Sequence, residues 1–132
     1  APLRGYAQPI YNGRLFVPVE SDFERKTLKR ILEAQRLLRS QSIDLAIGKP
    51  LFDTMTPDGP CRPDFVLEGR SRETGELRTL VVEAMGFDND DYLAAKAVTH
   101  PRMRHLGDLL TLRPSDIEDD AAGIQIANAM RL

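Results

Sequence analysis

The sequence predicts an α/β domain: a mixed central sheet built in α-β-β-β-α-β order and flanked by helices, with an N-terminal hairpin before it and a C-terminal helix after it. Three observations predict it. Residues 21–40 carry apolar side chains at helical spacing behind a helix-start signature. Residues 42–48, 62–69 and 77–87 are short apolar or alternating runs separated by proline, glycine and polar turn residues. A second helical stretch then intervenes before another strand-like run at 107–114, an order that implies helices packed on a mixed sheet.

Each element has its own reason. GYAQPIYNGRLFVPVE (5–20) holds two short β-like pieces around Asn12-Gly13, a strong hairpin signal. SDFE (21–24) is a capping box, in which Ser21 accepts from the Glu24 amide and Glu24 reaches back. The helix that follows runs to about Ser40 and buries Phe23, Leu28, Ile31, Leu32 and Leu38. SIDLAIG (42–48) alternates as a half-buried strand does, and KPLFDTMTPDGPC (49–61) reads as a loop. RPDFVLEG (62–69) is a strand with Pro63 at its tolerated start, RSRETGE (70–76) a turn, and LRTLVVEAMGF (77–87) the most apolar and central strand. DNDD (88–91) starts a helix that YLAAKAVTH (92–100) continues until Pro101 disturbs it. GDLLTLRP (107–114) is a short strand. PSDIEDDAAGIQIANAMRL (114–132) opens with proline and acids, as helices favour, and continues as one helix.

With 132 residues the chain is long enough for one domain with a real core. It reads as a single domain over 1–132, either a processed chain or a piece of a larger protein, because it begins at Ala1. No apolar stretch approaches the ~20 residues needed to span a bilayer, and no signal peptide is visible. One cysteine, Cys61, excludes an internal disulfide and a cysteine-rich zinc cage, and fits the cytoplasm. As a small side chain in a turn, Cys61 needs no chemical role. The net charge of −2 gives no general attraction for polyanions. Locally, Lys96, Arg102, Arg104 and Arg113 face only Asp108 between 94 and 114, ahead of an acidic tail.

The chemistry concentrates in two acids, each of which also has a structural use, Glu83 as a carboxylate paired with an arginine and Asp64 as a turn or strand-start residue. Glu83 interrupts the apolar run LVVEAMGF (80–87), where a lone ionised carboxylate is costly unless paired or bound to a metal. Strand alternation sets Val81, Glu83 and Met85 on one face, and Leu80, Val82 and Ala84 on the other. Asp64 begins the preceding strand, so pairing of the two strands brings the carboxylates together at one end of the sheet. Like charges so placed call for a proton or a cation between them. Mg²⁺ (or Mn²⁺) suits oxygen donors of this kind, with a phosphate oxygen and waters completing its shell.

Pro63-Asp64, then Glu83 in an apolar strand within an α-β-β-β-α-β order, resembles the PD-(D/E)XK nuclease superfamily, with its restriction-endonuclease-like fold. The likeness covers roughly residues 20–113. It implies a Mg²⁺-dependent nuclease domain that cleaves DNA, of the kind found in restriction, repair, recombination and mobile-element proteins. Carried over by position, Asp64 and Glu83 are the metal ligands. The family's lysine belongs two residues beyond the glutamate, where this chain has Met85. Some relatives supply the lysine from the following helix, which makes Lys96 the natural substitute, with Arg78 on the same strand a second candidate. The family often carries a further acid on its first helix, where Glu20 and Glu24 stand; the capping box gives Glu24 another use.

Two other readings stand beside the nuclease. One is a catalytically degenerate domain of the same fold that binds nucleic acid, which Met85 favours. The other is a protein-interaction or assembly module within a larger protein. In the first reading Asp64, Glu83 and Lys96 are catalytic, and Arg102 and Arg104 position the nucleic-acid backbone. The expected partner is DNA, with a parent protein or a second copy of the chain as further partners. His100 and His105 flank the basic HPRMRH segment (100–105), where they serve either phosphate contact and proton transfer or an ordinary surface role. Tyr92, four residues before Lys96, either shares its helix face in a functional role or simply packs. The absence of tryptophan argues against an extensive base-stacking platform.

Overall fold

The computed structural model describes residues 22–86, 89–118 and 121–131. The hairpin expected around Asn12-Gly13, Glu20, and Ser21 of the capping box lie outside the described residues. The elements run α1 (Asp22–Arg39), β1 (Ile43–Gly48), β2 (Thr54–Thr56), β3 (Gly59–Cys61), β4 (Phe65–Ser71), β5 (Leu77–Ala84), α2 (Asp90–Met103), β6 (Asp108–Leu112), α3 (Pro114–Glu118) and α4 (Ala121–Met130). The predicted mixed α/β architecture is the observed one.

Helix α1 forms because Leu28, Ile31, Ala34 and Leu38 recur every three or four residues, and all four are buried. Its first turn is acidic and its last turn basic, in line with the helix dipole. Three polar residues share the buried face, Glu24, Thr27 and Gln35, and the last two bond to backbone carbonyls. Thr27 Oγ1 donates to the Phe23 carbonyl at 2.8 Å, and Gln35 Nε2 to the Leu45 carbonyl at 2.8 Å. The helix stops where Ser42 adopts a left-handed φ of 65°, which turns the chain into β1.

The main sheet has the order β1-β4-β5-β6. β1 pairs antiparallel with β4, β4 antiparallel with β5, and β5 parallel with β6. The parallel pair requires a crossover, which α2 supplies. β4 and β5 are the inner strands, and they divide the core. Phe65, Leu67, Leu80 and Val82 pack with α1, α3 and α4 on one face. Val66 and Val81 pack with Cys61 and Met103 on the other. The alternation expected along β5 is thus realised. Burying each of these large side chains contributes about 1.5–3 kcal/mol.

Five local expectations are corrected. Residues 49–61 are more than a loop, because β2 and β3 pair as a two-residue hairpin around Pro57-Asp58. Gly59, at φ +126°, supplies the backbone conformation that closes it. Cys61 ends β3 in the core instead of sitting in a turn. Pro101 does not end α2, which runs on to Met103. It removes one donor near the end of the helix, and the burial of Met103 at 1% exposure offsets that loss. The C-terminal helix is two, α3 and α4. Strand β4 begins at Phe65, just after Asp64, and extends to Ser71.

Candidate active site

The register of β4 against β5 builds the site. Phe65 pairs with Val82, so Asp64 comes opposite Glu83, and facing residues of an antiparallel pair project to the same side. The two acids brace each other's strands. The Asp64 amide donates to Glu83 Oε2 at 2.8 Å, and the Ala84 amide donates to Asp64 Oδ2 at 2.8 Å. Past the last backbone rung, side chains take over the ladder.

Helix α2 covers this end of the sheet. Its N-cap Asn89 accepts from the Tyr92 amide at 2.8 Å and fixes the start of the helix. Tyr92, Lys96 and His100 follow at four-residue intervals, which puts them on one helix face. Tyr92 Oη donates to the Ala84 carbonyl at 3.0 Å, and the Lys96 ammonium lies 5.5 Å from the centre of the Tyr92 ring. Lys96 Nζ donates to Glu83 Oε1 at 2.6 Å, and His100 Nε2 stands 3.5 Å from that same oxygen. The Glu83 side chain is 0% exposed. A cation is its obvious partner, and Lys96 provides it.

The electrostatics record the crowding of acids. Burial, and then the Glu83 carboxylate beside it, push the Asp64 carboxyl up to about 6, against the pull of Lys96 and the Ala84 amide. Burial would lower the Lys96 ammonium, but Glu83, with Asp64 and Tyr92, outweighs it and raises the pKa. Burial, Lys96 and Arg104 lower His100, which favours a neutral imidazole. Burial and the charges of Glu83 and Asp53 raise the Cys61 thiol against Arg102, so it stays protonated and inert.

Of the two lysine substitutes, Lys96 reaches the acids and Arg78 does not. Arg78 Nη1 donates to the Ala129 carbonyl at 3.1 Å and ties β5 to α4. Arg102 Nη1 donates to the Pro60 carbonyl at 2.9 Å, so it clamps the β2–β3 hairpin to α2. Arg104 is exposed just after α2. His105 pairs with Asp58 at 2.7 Å, away from the acids. Met85 follows β5, and its amide donates to the Leu112 carbonyl at 2.7 Å. A groove opens beside Lys96, lined among others by Asp53, Pro60, Arg62 and Thr99.

Sequence reasoning missed two features. Glu24 is buried and pairs with Lys49 Nζ at 3.2 Å, and that ammonium lies 5.2 Å from the centre of the Phe65 ring. The pair joins α1 to the residue after β1, and nothing at the level of spacing signals it. The second is the approach of His100 to Glu83, whose only trace in the sequence is its four-residue offset from Lys96.

Among the described residues no group of three or more histidine, cysteine, aspartate or glutamate side chains could hold a metal ion. The carboxylates that could hold an ion at this end of the sheet are those of Asp64 and Glu83. That set fits a hard cation such as Mg²⁺, which binds through one or two carboxylates and keeps waters or phosphate oxygens for the rest. Burial first, and the Glu83 charge second, raise the Asp64 carboxyl, and a bound cation would oppose both by favouring the ionised form.

Comparison with known proteins gives two matches. A family model described as restriction endonuclease-like C-terminal domain matches residues 20–130. An Escherichia coli protein described as "Uncharacterized protein in cib 5'region" is 34% identical over 122 residues, which covers 88% of this chain and 56% of the relative. The chain thus spans little more than half the length of that relative. No solved structure matches it.

Proposed function

This chain belongs to the family of restriction endonuclease-like C-terminal domains, and from that premise we propose that it is a Mg²⁺-dependent nuclease domain acting on DNA. The observation that carries the reading is the 2.6 Å contact of Lys96 with Glu83. It supplies a cation at the acids even though Met85 stands where the superfamily lysine is expected.

Asp64 and Glu83 would hold the ion. A bound Mg²⁺ would supply polarisation of the phosphoryl group and activation of a water. The remaining work falls to the chain itself. The amides of Asp64 and Ala84 fix the two carboxylates before any ligand arrives, so little reorganisation is needed. The Lys96 ammonium, kept charged by its acidic neighbours, turns toward the reacting phosphate and offsets the charge that develops there. Attack in line by water forms one P–O bond as the opposite P–O bond of the phosphodiester breaks. The groove beside Lys96 is the path for the strand. Arg104 is free to meet its phosphates, and Arg102 acts through the hairpin it clamps.

The test is cleavage of plasmid and oligonucleotide DNA with Mg²⁺ or Mn²⁺, and with EDTA as the control. Asp64→Asn, Glu83→Gln and Lys96→Met are each expected to lower the rate by about 100-fold or more. Equal rates for all four proteins would remove the catalytic assignment.

A second reading draws on the same contacts. Both Glu83 oxygens already have donors, from the Asp64 amide and from Lys96, and Met85 is not a cation. A domain so satisfied binds DNA without cutting it. Its signature is no cleavage by any of these proteins together with salt-dependent binding that survives Glu83→Gln.

A further inference from the structure

Glu83 Oε1 faces two donors one helical turn apart, Lys96 at 2.6 Å and His100 at 3.5 Å. Only Lys96 makes the hydrogen bond. Among the described residues, His100 Nε2 is the buried side-chain polar atom left without a partner, and such an atom carries a desolvation cost that a structure normally avoids. The proposed reaction sharpens the problem. A Lys96 ammonium that swings fully onto the phosphate gives up Oε1, and until an ion is bound the fully buried Glu83 carboxylate then needs another donor there.

We infer that His100 is a reserve donor to Glu83: when Lys96 leaves Oε1, the His100 imidazole closes on that oxygen through Nε2–H and keeps the carboxylate aimed. The movement needed is small, since a hydrogen bond of about 2.9 Å lies well within 1 Å of the present separation. The four-residue offset from Lys96 gives both donors the same approach along α2. His100 is a positioning residue in this scheme, acting on the reaction through Glu83. The departure of Lys96 toward substrate rests on the nuclease reading above. The reserve itself does not, and the experiment separates the two.

The first arm needs no cleavage. Chemical unfolding in metal-free buffer compares wild type, Lys96→Met, His100→Phe and the double variant. Redundant donors make the midpoint loss of the double variant exceed the sum of the single losses, and Lys96→Met with His100→Gln, which keeps an N–H donor, is expected to lie close to Lys96→Met alone. Additive losses overturn the inference. A crystal structure of Lys96→Met gives a second reading: His100 Nε2 is expected at about 2.9 Å from Glu83 Oε1, and an unchanged 3.5 Å gap overturns it. That structure decides the matter if the double variant does not fold. The kinetic arm expects His100→Phe to lower kcat about tenfold with KM unchanged, and His100→Gln to restore it. An unchanged kcat refutes the handover during turnover. A wild type that does not cleave defeats the nuclease reading and leaves the first two arms to judge the reserve donor.

Discussion

At the residue scale, Asp64 ties stability to pH in a direction opposite to that of most carboxylates. Its carboxyl titrates near 3.8 in the absence of the fold and is raised to about 6 within it, first by burial and then by Glu83. The folded protein therefore binds more protons than the unfolded chain between these values. The contribution of Asp64 is complete below about pH 4 and is lost as pH rises through about 6. Asp64→Asn removes the titration and keeps an acceptor for the Ala84 amide. In metal-free buffer it is expected to be more stable than wild type at pH 8, by on the order of 2 kcal/mol, with the difference gone at pH 4. Urea unfolding at the two pH values checks this, and added Mg²⁺ should stabilise wild type alone. The two acids were legible in the sequence because strand alternation and a short connection suffice to bring 64 and 83 together. Lys96 was legible only once a helix was placed after the strand. The Glu24–Lys49 pair was not, because it depends on how α1 docks beside β1, and a complete capping signature offered Glu24 a local use instead.

At the scale of elements, the path from α2 into β6 depends on one close approach. A Cβ on Gly107 would come within 2.6 Å of the Thr79 carbonyl oxygen and 2.9 Å of its carbon. Backbone cannot yield as a side chain can. Gly107→Ala should therefore cost about 1–3 kcal/mol, read as a lower unfolding midpoint at unchanged m-value. The β2–β3 hairpin was hidden for a different reason. Its strands are three residues each, too short for a period of two to show, and what survives in the sequence is the turn chemistry of Pro57-Asp58-Gly59. Pro101 misled in the opposite sense. A local breaker near a helix end was overruled by the burial of Met103.

At the scale of the whole molecule, a net charge of −2 means that any affinity for DNA comes from local cations working against the overall charge. Binding is expected to fall steeply with salt, and Arg104→Ala should lower the slope of log K against log salt by about 1 while leaving sequence preference alone. Fluorescence anisotropy across a salt series, with Ca²⁺ in place of Mg²⁺, reads it out; an unchanged slope places Arg104 off the interface. The overall architecture was legible because the order of elements, with its single intervening helix, admits few sheets. On the nuclease reading a chemical task and a folding task coincide at this site, since the Asp64 and Glu83 side chains receive the amides that would otherwise be orphaned at the open end of the β4–β5 pair. A descendant of such a nuclease that abandoned cutting would still need acceptors at both places. Drift after such a loss would therefore pass through asparagine and glutamine before reaching alanine, and an inactive sister would keep the outline of the apparatus it no longer uses.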